Sequence, residues 1–309
     1  MVESVHATRK GFLRTMAGAA LLPLVSPTLP ASNSQPPNGK LLIVVAHPDD
    51  EYACAAVIYR LVRESGWIAD QVIVTDGESG YRYAALAEAF YGVPLTGEVG
   101  RARLAAIRKR ETARAGKVLG IRNHHFLDQK DLGFAADASV ATTANWDRQH
   151  IRGFLTALLV RERYDVVVTL LPTKETHGHH RAATILALEA IANLPEEHRP
   201  VVLGAEPRAA GEGSLAFNGL PDHPLTRTAH SEAVIQFDRS LSFGYQNALS
   251  YQIVVNWMIA EHKSQGLFQN DAGKHSSESF WLFAASGPVR PIESLRDVLQ
   301  RPIGRAVAG

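Results

Sequence analysis

The chain has 309 residues, 46% hydrophobic and 20% charged, an ordinary globular balance that excludes a disordered, collagenous or coiled-coil protein. Lys and Arg number 32 against 31 Asp and Glu, a net +1, so the charge gives no footprint for nucleic acid or an anionic membrane. The single cysteine, Cys54, rules out an internal disulfide, a Cys-based zinc site and a C-x-x-C redox pair, and reads as a small packing residue.

The N-terminus differs from the rest. Thr8 to Arg14 is basic, Thr15 to Val25 is apolar and uncharged, and Pro, Ser and Asn follow as far as Pro37. Basic, then apolar, then small and polar is the order of an export signal, and the apolar run is too short for a membrane span. The stretch resembles a twin-arginine signal with Lys10 in place of the second arginine. Residues 1–37 are therefore expected to be signal and linker, and residues 38–309 a single domain that is periplasmic or secreted, with no membrane span after processing.

Leu41–Ala46 (LLIVVA) is a continuous apolar run, as a strand buried on both faces should be. Gln71–Thr75, Asp165–Leu171 and Val201–Leu203 read the same way, and His125–Leu127 is a shorter candidate. Helical periodicity lies between them, for example at Ile151, Phe154, Leu155, Leu158 and Glu162. The alternation predicts an α/β fold, Rossmann-like, with a mostly parallel sheet and helices on both faces. Gly204–Pro224 reads as a long loop. Leu249–Ala260 reads as a helix buried nearly all round.

His47-Pro48-Asp49-Asp50-Glu51 comes directly after the first strand. In an open parallel sheet, ligands bind at the carboxyl ends of strands. Helix capping accounts for one or two acids, but not for a histidine with three consecutive acids. His47 and Asp50, three apart, can bring an imidazole and a carboxylate to one ion. Thr176-His177-Gly178-His179-His180 comes after the strand 165–171 and leads into another helix, on the same rim. One of its histidines completes a His-Asp-His set, and three protein ligands with an open fourth position are the catalytic zinc pattern. On the helix 104–119, Arg108 and Glu111 fall within the apolar stripe of Leu104, Ile107, Ala115, Val118 and Leu119. Either they pair with each other at i, i+3, or Arg108 reaches the rim to hold an oxygen-rich substrate.

The pentad resembles the signature of the PIG-L/LmbE-like zinc-dependent N-acetylglucosaminyl deacetylases. Other segments match in order: Val74–Glu78, Arg108-x-x-Glu111 ahead of Leu119-Gly120, Phe126-Leu127 with Asp131, His177-x-x-His180, and His262-x-Ser264-Gln265. The resemblance spans about Leu41 to Phe283. It implies His47, Asp50 and His180 as metal ligands, Asp49 as general base, and His177 as the group that stabilises the oxyanion or protonates the leaving amine. It implies Arg108 as a substrate contact and Asp131 as a contact to substrate hydroxyls, or else a loop cap. The family has Pro-Asp where this chain has Gly178-His179, so His179 either supports a neighbouring histidine or competes for the metal.

The function so implied is removal of an N-acetyl or other acyl group from an amino sugar or glycoconjugate by a water that Zn2+, or another divalent transition metal, activates. The rivals are a metal hydrolase of a non-sugar amide and a carbohydrate-binding relative without turnover. Tyr81 and Tyr83 either stack on a sugar ring or anchor their loop. Ser264 and Gln265 read as structural hydrogen-bonding groups. The pocket walls are expected from the segments Glu78–Gly100 and Gly204–Arg227.

Overall fold

A computed structural model describes residues 37–134, 145–287 and 290–301. The expected export signal lies outside the described residues. Among those described, no helix is long and apolar enough to cross a membrane.

Five strands run parallel: β1 (Lys40–Val45), β2 (Ile68–Thr75), β3 (Asn123–Gln129), β4 (Val166–Leu170) and β5 (Val201–Ala209). Two more, β6 (Ile235–Asp238) and the later β9 (His275–Leu282), extend the sheet antiparallel, in the order β3-β2-β1-β4-β5-β9-β6. A short hairpin, β7 (Ser242–Phe243) with β8 (Leu249–Ser250), stands apart. The helices are α1 (Ala55–Tyr59), α2 (Ala85–Tyr91), α3 (Gly97–Leu119), α4 (Arg148–Glu162), α5 (Gly178–Ala192), α6 (Tyr251–Glu261), α7 (Gly266–Ala272) and α8 (Arg290–Gln300).

The apolar run of β1 is continuous because both of its faces are covered. Leu41, Ile43 and Val45 pack with residues of α1, α3 and α6, while Leu42, Val44 and Ala46 pack with α4 and α5. Burying a Leu or Val side chain this way stabilises the fold by about 1.5–3 kcal/mol. The connections out of β1 and β4 lead to opposite sides of the sheet, β1 towards β2 and β4 towards β5. The carboxyl ends of these neighbours therefore open a crevice, the switch point at which such sheets take ligands.

The expected mostly parallel sheet with helices on both faces is what the chain forms. Three local expectations are corrected. The segment 204–224 is not loop throughout, because β5 continues to Ala209 against β9. Gly204 sits inside that strand, where a Cβ would lie 2.9 Å from Leu171 and 3.0 Å from Phe283. The glycine that reads as a loop signal is there for close packing. Strand β2 begins at Ile68 rather than Gln71, because Asp70 is buried with partners of its own and interrupts the apolar run. The helix expected over 249–260 is α6, which starts at Tyr251 and is open on one side, with Trp257 60% exposed.

Candidate metal centre and active-site cleft

The pentad caps the carboxyl end of β1. Asp50 turns back on the chain: its Oδ2 accepts the backbone N–H of His47 at 2.8 Å and of Ala46 at 3.1 Å. The turn holds Asp49 at φ 127°, a left-handed conformation rare for a residue with a side chain and found where structure over-determines a functional position. Glu51 is fully buried beneath it. It accepts from Gln71 Nε2 at 3.2 Å and the Asp49 N–H at 3.2 Å, and pairs with His262 Nε2 at 2.8 Å.

Across the crevice, His177 precedes α5 and His179 and His180 lie in its first turn. His47 Nδ1 lies 3.0 Å from His180 Nε2, His180 Nε2 lies 3.2 Å from Asp50 Oδ1, and His47 Nδ1 lies 3.6 Å from Asp50 Oδ2. Tetrahedral zinc with bonds of about 2.0–2.1 Å separates neighbouring ligand atoms by about 3.3 Å. The three separations bracket that value, and imidazole nitrogen with carboxylate oxygen is a zinc-type donor set. Thr176 Oγ1 sits 3.1 Å from His180 Nδ1, which leaves the other ring nitrogen for the ion.

A second trio, His47, His177 and His179, also brings ligand atoms within 4.8 Å, as does the first. It is all neutral imidazole, whereas the first trio contributes a carboxylate. A buried dication needs anionic compensation, so the chemistry favours His47, Asp50 and His180. Burial alone would raise the Asp50 carboxyl, but His180 and His47 outweigh it and hold it well below the usual range.

Asp49 stands beside this set. Burial pushes its carboxyl up to about 6, against the pull of Arg108. Arg108 donates from Nη2 to Asp49 Oδ2 at 2.8 Å and to the Pro48 carbonyl, and from Nη1 to the Gly77 carbonyl at 2.9 Å. Arg108 and Glu111 do not pair. Glu111 accepts from Tyr91 Oη at 2.7 Å, and from Ser264 Oγ at 2.6 Å and its N–H at 2.8 Å. Gly80 closes over the guanidinium so tightly that a Cβ would meet Nη1 at 2.6 Å.

Burial and the neighbouring His47 and His179 hold His177 down at about 3, so it is neutral at pH 7. Its Nδ1 accepts the His179 N–H at 3.0 Å. Asp131 lies at the cleft wall, with Oδ1 accepting from Gly133 N at 2.9 Å and Oδ2 from Ser79 N at 3.2 Å, the geometry of a loop cap.

These groups line an open cleft of about 310 Å³ whose lining includes His47, Asp49, Asp50, Arg108, Asp131, His177 and His180. Every expected site residue is thus gathered at one place. The expected walls are half right. Ser79, Gly80, Arg82 and Tyr83 form one side, but the other comes from Gln265, Leu267, Phe268 and Phe134, not from 204–227. Tyr81 instead packs into a small cluster around Ala84 and Leu104. Leu267, Phe268 and Phe134 escape a reading of the sequence because α7 carries no chemistry-bearing motif of its own and Phe134 is an isolated aromatic three residues after Asp131.

Residues 42–191 match the PIG-L family profile, described as GlcNAc-PI de-N-acetylase. The chain is 27% identical over 189 residues to the diacetylchitobiose deacetylase of Thermococcus kodakarensis, covering 60% of this chain and 62% of that protein. It is 26% identical over 160 residues to the probable N-acetyl-alpha-D-glucosaminyl L-malate deacetylase 2 of Bacillus anthracis, covering 52% and 62%. The chain thus spans less than two thirds of the length of these curated relatives. Among solved structures it resembles the N,N'-diacetylchitobiose deacetylase of Pyrococcus horikoshii, at 18% identity and a TM-score of 0.45 over 80% of this chain and 84% of that one. The profile match contains His47–Glu51, Arg108, Asp131 and His177–His180, and the comparisons support the PIG-L family, with its deacetylase homologues, as the one this chain resembles over that stretch.

Proposed function

We propose that this chain is a metal-dependent N-deacetylase that hydrolyses an acetamide, or a related acyl amide, on an amino sugar or glycoconjugate, with zinc as its ion. The observation that carries the reading is the meeting of His47, Asp50 and His180 within 4.8 Å, beside Asp49, in an open cleft at the switch point of the sheet. The curated relatives named above, deacetylases of N-acetylated sugars, support the substrate class.

A bound zinc would supply a Lewis acid and would lower the pKa of water towards ~7. The protein groups divide the remaining work. Arg108 occupies Oδ2 of Asp49, leaving Oδ1 to accept a proton from the attacking water. That free oxygen can take the proton and return it to the departing nitrogen. His177 is neutral, and its Nδ1 is an acceptor, so its ring proton sits on Nε2. A neutral imidazole N–H facing the cleft suits a carbonyl oxygen gaining charge, and such a donor is typically worth ~10² to 10³ in rate.

The test is acetate release from a panel of N-acetylated sugars and glycoconjugates, with and without chelator. Release that chelator abolishes and zinc restores is the expected result. Bound zinc without release from any sugar or acylated peptide would favour a carbohydrate-binding protein instead. The export signal of residues 1–37 ahead of one domain, 38–309, is part of the same proposal. Fractionation showing the chain only in the cytoplasm would remove it.

A further inference from the structure

We propose that His179 is a positioning residue for the metal centre. It accepts a hydrogen bond from His47 Nε2 and so holds the His47 ring with Nδ1 turned to the ion. The inference rests on the metal reading above and adds a role to a residue outside the ligand set.

His179 is fully buried in the first turn of α5, and its Nδ1 lies 3.1 Å from His47 Nε2. The other ring nitrogen of His47 faces His180 and Asp50. An imidazole that gives Nδ1 to a metal keeps its proton on Nε2. That N–H points into a buried place, where lack of an acceptor costs about 1–3 kcal/mol and lets the ring turn. His179 Nδ1 is the acceptor within reach. Asp131 Oδ1 lies 3.6 Å from the same nitrogen, beyond a hydrogen bond, and its carboxylate is taken by the N–H groups of Ser79 and Gly133. Trp146 packs against the His179 ring at 5.2 Å between centroids. The main chain of His179 donates to His177 Nδ1 at 3.0 Å. One residue therefore orients a ligand with its side chain and the opposing imidazole with its backbone. Thr176 serves His180 in the matching way.

The experiment measures zinc affinity of the purified full-length chain by chelator competition. His179→Leu keeps bulk and removes the acceptor. His179→Asn keeps an oxygen near the place of Nδ1. Losing a partner of this kind typically costs about 10- to 100-fold in metal affinity, so that loss is expected for the Leu variant, with the Asn variant within a few-fold of wild type. Wild-type affinity in the Leu variant, or an Asn variant as weak as Leu, would overturn the proposal. So would two zinc ions in wild type and one in the Leu variant, because His179 would then be a ligand. If the Leu variant does not fold, nitrogen-15 NMR of zinc-loaded wild type decides. A coupling across the hydrogen bond between His47 Nε2 and His179 Nδ1 supports the role, and a proton on His179 Nδ1 overturns it. Tight zinc binding without acetate release would remove the deacetylase and leave this inference standing. A wild type that binds no zinc would remove both.

Discussion

Arg108 grips Asp49 from below: Nη2 donates to Asp49 Oδ2 at 2.8 Å while the same guanidinium holds the carbonyls of Pro48 and Gly77. Both residues are buried, and the Asp49 backbone is in the left-handed region. The arginine therefore fixes the direction of a carboxylate that the local chain would not otherwise hold. Replacing it with Met leaves Asp49 buried and unpaired, and removes the charge that opposes its rise above 6. Arg108→Met is expected to lower kcat about 10²-fold, the usual scale for a misplaced catalytic group, with zinc content unchanged. Asp49→Asn should do at least as much while also keeping zinc. Asp49→Asn hydrolysing at the wild-type rate would remove Asp49 from the chemistry, and Arg108→Met doing so would remove the arginine's orienting role.

Metal retention should divide the residues differently. His180→Ala and Asp50→Ala each remove a member of the set whose donors meet at 3.2 Å. Both are expected to emerge from purification with little zinc, by elemental analysis, and His177→Ala to keep it. The third result rests on charge, because the all-imidazole trio lacks an anion to balance a dication. Loss of zinc from His177→Ala with retention in Asp50→Ala would move the ion to His47, His177 and His179.

Glu51 and His262 meet at 2.8 Å with neither side chain exposed. Burial opposes the charge on each, yet the partner holds the Glu51 carboxyl low and the His262 imidazole high. Removing one member leaves the other buried without its counter-charge, which typically costs about 3–5 kcal/mol. Glu51→Leu is expected to lose about 3 kcal/mol in urea unfolding. The double variant Glu51→Leu with His262→Leu should recover part of that loss, since no charge is then left alone. A double variant that loses the sum of the two single losses would show that the pair does not act as a unit.

Much of the site was legible because its parts lie at strand ends. The run LLIVVA marks a strand covered on both faces, so the pentad after it must stand at the rim, and the same holds for Thr176–His180 after β4. The partners of Arg108 and Glu111 were not legible. An i, i+3 spacing allows a pair within the helix, but Asp49 and Ser264 arrive from distant segments and offer better hydrogen bonds. The antiparallel end of the sheet was hidden for another reason. The first half of β9, HSSE, is polar, and its Glu278 is buried against Arg239 and the backbone N–H groups of Ala56 and Val57. A strand half stabilised by such a network shows only the short apolar run Phe280–Leu282, too little to mark its full length.

Asp70 on β2 gives a prediction away from the cleft. Burial alone would raise its carboxyl, but Arg122, Tyr164 and Asn123 outweigh it and hold it below the usual range. Tyr164 Oη donates to Oδ2 at 2.6 Å, and Arg122 Nε and Asn123 Nδ2 both reach Oδ1 at 3.0 Å. Hydrogen bonds to a charged group are each worth about 1.5–3 kcal/mol, and Arg122 can turn to Glu162 and solvent when the carboxylate is gone. Asp70→Asn is therefore expected to lose about 2 kcal/mol at pH 7. Because the folded carboxyl titrates lower than the unfolded one, its contribution is complete above about pH 4 and fades as the pH falls through the folded value. Urea unfolding of wild type and variant should show a gap that is constant from about pH 7 to about pH 5 and narrows below about pH 4. A gap that stays the same at low pH would mean that packing, and not the carboxylate, supplies the stability at this corner of the sheet.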